Sequence, residues 1–227
     1  MAIAELTTQR NTQGGPASTA ATYTFPVAPA NGNLVVFCMS WRGNTSINSV
    51  PFSCSLATPT GSASANIDGA IYYKVADGTE GITWTFGLAA SFKNSGCATE
   101  FTGALSASGP LDKTTLNDGT GTAATCGTLA TLSQADELVV ACYGCNTNAT
   151  FSAHDNSQTQ IMTATSTGGS GATRNTTSFA TRIVIANTAV NYGATVSASR
   201  DWTTGAATFK AFPEALAQTP RTWGYIL

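Results

Sequence analysis

Two stretches of the chain share one pattern of apolar and polar positions. Gly32-Asn33-Leu34-Val35-Val36-Phe37-Cys38-Met39-Ser40-Trp41 opens on a polar turn, runs through Leu-Val-Val and reaches a cysteine before a Gly/Asn/Thr/Ser-rich loop. Asp136-Glu137-Leu138-Val139-Val140-Ala141-Cys142-Tyr143-Gly144-Cys145 repeats that order later in the chain. A short apolar run bounded by turn residues and rich in β-branched or aromatic side chains predicts a buried strand. Two copies predict two related halves, each packed around its own central strand.

The remaining pattern is also that of strands. Thr22–Val27 places Tyr23 and Phe25 on one face and stops at Pro26, which suits a strand end. Ala70–Ala76 is apolar, and Asp77-Gly78 after it predicts a hairpin turn. Ile82, Trp84 and Phe86 alternate with Thr83 and Thr85, so the three large side chains are expected to face a core. Glu100–Leu105, Phe179–Ile185, Tyr192–Ala198 and Ala206–Phe212 are further candidates, with a weaker one at Gln160–Thr165. Residues 1–21 are polar and aperiodic and are expected to form an N-terminal arm. Residues 106–126, rich in Ser, Gly, Asp and Thr, are expected to be a crossing connection. The fold class predicted is all-β: a jelly-roll-like antiparallel sandwich of two sheets over residues 22–212, with an extended tail at 213–227.

Composition supports this. Thr supplies 38 of the 227 residues and favours strands, while Gly, Asn and Ser favour turns. Charged residues make up only 10%, against roughly 25% in an ordinary globular domain. A surface so poor in charge suits a chain whose surface is covered by partners. The net charge of -2 and the scatter of the ten Lys and Arg, with no cluster, argue against the basic face that nucleic acid requires. No run approaches a membrane span, and Met1–Leu6 lacks the features of a signal peptide. Folding in a cytosol is therefore expected, with the six cysteines reduced. Cys142 and Cys145 have the spacing of half a metal or redox motif. The chain offers one histidine, His154, and no second pair to complete a zinc site. No metal or cofactor is expected.

Catalytic constellations are sparse. Glu100 is the best-placed single carboxylate, at the start of an apolar strand, and its simpler reading is a strand-end acid bonded to a loop. His154 and Asp155 are adjacent, so on a strand they point to opposite faces and cannot pair. The expectation is that the chain is not an enzyme. Two loops could suit sugar binding, Trp41 with Asn44 and Asp201 with Trp202, where an aromatic face lies beside hydrogen-bonding groups; the simpler reading is that Trp41 and Trp202 close the ends of the sandwich. The tail carries Trp223, Tyr225, Ile226 and Leu227, aromatic and aliphatic anchors that could bury in the chain's own body or in a neighbour, and a partner contact with an adjacent subunit is the expectation.

Asn33–Val36, Trp41–Val50, Ile71–Ala76, Ile82–Phe86, Glu100–Gly103 and Glu137–Val140 together give the chain a further likeness. Over residues 22–212 it resembles β-sandwich virion proteins of tailed bacteriophages and related bacterial surface or prophage proteins. The six cysteines and the aromatic tail depart from that family's pattern. The resemblance implies a non-enzymatic structural role in a virion assembled in the host cytoplasm. A capsid decoration (cement) protein is the first expectation, bound to the major capsid protein or other virion subunits and homo-oligomeric, with a trimer favoured. The alternative is a tail or fibre module that binds host-surface glycan.

Overall fold

The structure, a computed structural model, describes residues 3–43, 45–60, 66–103 and 109–211. The first half contributes β1 (Ala4–Glu5), β2 (Asn11–Gly14), β3 (Ser18–Thr24), β4 (Leu34–Arg42), β5 (Ile47–Ser49), β6 (Ser55–Thr60), β7 (Ile67–Val75), β8 (Thr83–Phe92) and β9 (Asn94–Thr102). The second contributes β10 (Leu111–Leu129), β11 (Glu137–Cys145), β12 (Phe151–Ser152), β13 (Thr159–Thr165), β14 (Thr176–Val184) and β15 (Val190–Lys210). Every ladder between them is antiparallel.

The two halves are wired alike. In the first, an inner sheet runs β1-β9-β4-β7-β6, with β2 also on β9, and an outer sheet runs β3-β8-β5. In the second, the inner order β10-β15-β11-β14-β13 matches strand for strand. Its outer layer is made from the far ends of the same long strands. The ladder of β10 with β15 breaks between Gly121 and Ala123, and beyond the break β12 pairs with β15. The chain passes repeatedly between inner and outer sheets in each half, with β6–β7 and β13–β14 as neighbours within the inner sheets, in the manner of a jelly roll.

The inner sheets stack face to face. Leu34, Val36 and Cys38 of β4 meet Leu138, Val140 and Cys142 of β11 in one core, closed at its sides by ring pairs Tyr73–Phe209 (5.2 Å) and Phe101–Phe179 (6.5 Å). Val35, Phe37, Met39 and Trp41, on the opposite face of β4, pack under the first outer sheet with Tyr23, Phe25, Trp84 and Phe86. Val139, Ala141, Tyr143 and Cys145 pack likewise under the second outer layer. Both central strands are thus buried on both faces, which is why their apolar runs do not alternate. Here the end of the molecule at which β4 and β11 begin is called the lower end. Cys142 Sγ lies 3.8 Å from Met39 O, and Gly144, further along β11, lies against Ser40, further along β4, so the two stacked strands run in the same sense.

The all-β antiparallel sandwich with two related halves is as expected, its halves stacked through their inner sheets. Three expectations change. Residues 4–14, expected as an arm, form β1 and β2 on the edge of the first inner sheet, where polar side chains suffice because one side faces water. Asp77–Gly81 is not a hairpin, since β7 and β8 belong to different sheets. The Glu80 carboxylate accepts the backbone N–H groups of Asp77 (3.0 Å) and Gly78 (3.0 Å), fixing a turn that crosses between layers. Most of 106–126 lies in β10, an edge strand that needs few apolar residues.

Candidate functional site

Four groups of chemically capable residues can be located: the carboxylates, the two tryptophan loops, the thiols with the histidine, and a polar seam between the halves.

The carboxylates at the lower end serve backbone and loop. Glu100 is fully buried and accepts Ala30 N–H (2.9 Å), Asn33 Nδ2 (2.5 Å) and Gln9 Nε2 (2.9 Å). It therefore ties the loop before β4, and the N-terminal turn, to β9. Its counterpart in the second half is on the other strand. Glu137 stands where Asn33 stands in the first half, beside Thr208 in the place of Glu100. Burial pushes the Glu137 carboxyl up, with Thr208 opposing and the charge of Asp112 adding to the rise.

The tryptophans behave the same way. Trp41 lies opposite Asn94 in the β4–β9 ladder, and Trp202 opposite Cys145 in the equivalent ladder. Each half thus closes the upper end of its outer core with one indole, drawn from opposite strands. Trp41 is 4% exposed and Trp202 5%, so neither presents a face on which a sugar ring can stack. Trp41 Nε1 donates to Thr45 O (3.1 Å), and Asp201 is held by Asn146 Nδ2 (3.0 Å) and Thr120 Oγ1 (2.8 Å). The structure does not bring the two loops together, since Trp41 belongs to the first outer core and Trp202 to the second. Asn44 and the tail residues Trp223, Tyr225, Ile226 and Leu227 lie outside the described residues.

All six cysteines are buried with free thiols. Cys142 faces the core between the inner sheets and Cys145 the second outer core, because residues three apart on a strand point oppositely. Their spacing therefore makes no chelate. Burial pushes the Cys54 and Cys126 thiols up to about 12. Cys38 and Cys97 are direct cross-strand neighbours. Among the described residues no group of three or more His, Cys, Asp and Glu is placed to hold a metal ion. His154 lies edge-on to Tyr143 (5.3 Å) with Nε2 3.5 Å from Ser178 Oγ. Burial lowers its pKa, with Asp155 opposing. Asp155 accepts Gly193 N–H (2.6 Å), so the adjacent His and Asp serve different neighbours.

The seam was not anticipated. Toward the upper end the inner core turns polar. Asn175, fully buried, donates Nδ2 to Ser95 Oγ (2.7 Å), Ser40 O (2.9 Å) and Ser40 Oγ (3.0 Å). Thr177 Oγ1 lies 2.5 Å from Ser40 Oγ and 2.8 Å from Ser95 Oγ, and donates to Ser95 O (3.0 Å). Arg42 reaches over the seam to Asn146 O (2.9 Å). The hint in the sequence is the polar Ser40, which follows an apolar run on the face that Leu34, Val36 and Cys38 share. Its partners lie too far along the chain for spacing to reveal them. The seam is buried and the Asn175 amide hydrogens and Thr177 hydroxyl are spent on internal bonds, while Asn175 Oδ1 accepts none, so its chemistry is cohesion between the halves.

No helix among the described residues is long and apolar enough to cross a membrane. No family model matches the chain, and no curated protein or solved structure matches it either.

Proposed function

We propose that the chain is a non-enzymatic structural subunit of a bacteriophage-type particle, added to the head as a capsid decoration protein. It acts by burying surface against the major capsid protein and against copies of itself, adding stability to the shell by mass action. The observation that carries this reading is the seam. The two halves meet back to back through an apolar core that ends in buried hydrogen bonds, and the polar side chains best suited to chemistry, Glu100 among them, are spent on internal bonds. The sequence resemblance and the low surface charge support the same role. The glycan-binding alternative has less support, because both indoles that were to stack on sugar are buried.

The test is binding of the purified protein to capsids stripped of accessory proteins, beside binding to whole host cells. Saturable capsid binding together with a higher shell melting temperature is expected. Binding to cells with none to capsids overturns the proposal in favour of a receptor-binding module.

A further inference from the structure

Comparing the lower rims of the two outer layers reveals an imbalance. In the second half the rim is covered. Leu132 folds back after β10, its N–H donating to Thr188 O (3.4 Å), and sits 2% exposed against Leu129, Val184 and Val190. In the first half the equivalent rim is open. Phe25 N–H donates to Ile82 O (2.9 Å), which sets Ile82 beside the buried Phe25 and Trp84. Ile82 itself is 46% exposed, Val27 62% and Phe52 37%. Phe52 lies edge-on over Trp84, with ring centroids 4.6 Å apart. It does so from a left-handed backbone (φ 47, ψ 33), and Ser53 follows at φ 55. Such a conformation is costly for an aromatic residue and is kept only where surrounding contacts impose it. Val27, Ile82 and Phe52 thus lie along the lower rim from the β3 side to the β5 side, each more than a third exposed.

We infer that this rim is the seat of the chain's own segment Trp223–Leu227. Three observations converge. The described chain leaves the body at this same end, where Ala211 N–H donates to Asp136 O (3.3 Å) and Gln134 Nε2 donates to Ala211 O (2.8 Å). The segment carries Trp223, Tyr225, Ile226 and Leu227 and no charged side chain, which matches an apolar rim. Its reach is sufficient. Ala211 belongs to the second inner layer and the rim to the first outer layer, two sheet spacings or about 20 Å away. The eleven residues 212–222 span up to roughly 36 Å when extended. Tethering favours this occupant, because a segment on the same chain is present at a high effective concentration. The contact stands apart from the assembly reading.

The experiment uses the full chain with a photo-reactive phenylalanine analogue in place of Tyr225. Irradiation is expected to give cross-links within one chain to peptides containing residues 24–28, 50–54 or 80–84. Their yield should fall about tenfold in Phe52→Ser and in Ile82→Ser, as a lost anchor contact would cause. Ile82→Ser carries the comparison alone if Phe52→Ser does not fold. Cross-links only to other surfaces or only between chains overturn the inference, as does a yield that Ile82→Ser leaves unchanged. Capsid binding is read in a separate assay, so failure here leaves the structural-subunit proposal standing.

Discussion

Replacing Asn175 with alanine tests whether the seam joins the halves. The side chain is fully buried, and its amide shares two hydrogens among Ser95 Oγ, Ser40 O and Ser40 Oγ. Each hydrogen bond lost costs about 1 kcal/mol net, and a buried acceptor left unpaired costs about 1–3 kcal/mol. Thr177 still bridges Ser40 and Ser95, which limits the second cost to the low end of that range. The expected loss is therefore about 2–4 kcal/mol, or roughly 4–16 °C in melting temperature for a chain of this size. Urea unfolding followed by tryptophan fluorescence measures it directly, since Trp84 reports on the first outer core and Trp202 on the second. Thr114→Ala, on the exposed edge of β10, is the control and should stay within about 0.5 kcal/mol. An Asn175→Ala midpoint indistinguishable from the control's would refute the claim that these hydrogen bonds hold the halves together.

Three further outcomes follow from the same geometry. A Cβ added at Gly144 meets Ser40 Cβ at 2.7 Å, so Gly144→Ala should cost about 1–3 kcal/mol by overpacking, and adding Ser40→Gly should recover part of it in a double-mutant cycle. Burial raises the Glu137 pKa, so the fold favours its neutral form. That contribution is complete below the ordinary value of 4.5 and is lost as pH rises through the raised one. The melting temperature of Glu137→Gln should accordingly gain on the native chain between pH 4 and pH 8 (a constant difference would contradict this). The buried thiols should react with a disulfide reagent roughly a thousandfold more slowly than in the denatured chain, because access requires opening of the fold.

The sequence made the two central strands legible because burial on both faces leaves an unbroken apolar run, and Leu34–Cys38 and Leu138–Cys142 both show it. It hid most of β10 for the opposite reason, and it showed β15 only as two pieces, Tyr192–Ala198 and Ala206–Phe212. β10 is an edge strand of Thr, Asn, Asp and Gly that reads like a loop. β15 carries Arg200-Asp201 in its middle, where the strand passes from outer to inner layer. The tryptophan loops allowed two readings, a sugar-stacking face or an indole closing the sandwich end, and the burial of Trp41 and Trp202 agrees with the second. Only the ladders show that each indole fills the space opposite a smaller residue, Asn94 in one half and Cys145 in the other. Glu100 was the most conspicuous acid and proved to be a loop tie, which is the simpler of its two sequence readings.

The order of the strands also sets a timetable for synthesis. The first half can complete its own ladders once residue 102 has emerged, since β1 pairs with β9 and nothing in that sandwich waits for later sequence. The inner face of β4, with Leu34, Val36 and Cys38, is covered only when β11 and β15 arrive, and β15 ends at Lys210. At about 5–20 residues per second, the ribosome leaves that apolar sheet bare for roughly 5–20 s. During that interval the nascent half resembles one member of a pair without its mate, and a neighbouring nascent half presents a face of the same shape. Exchange of halves between chains is thus a built-in competitor of correct folding, held off by the linkage that delivers the second sandwich to the first.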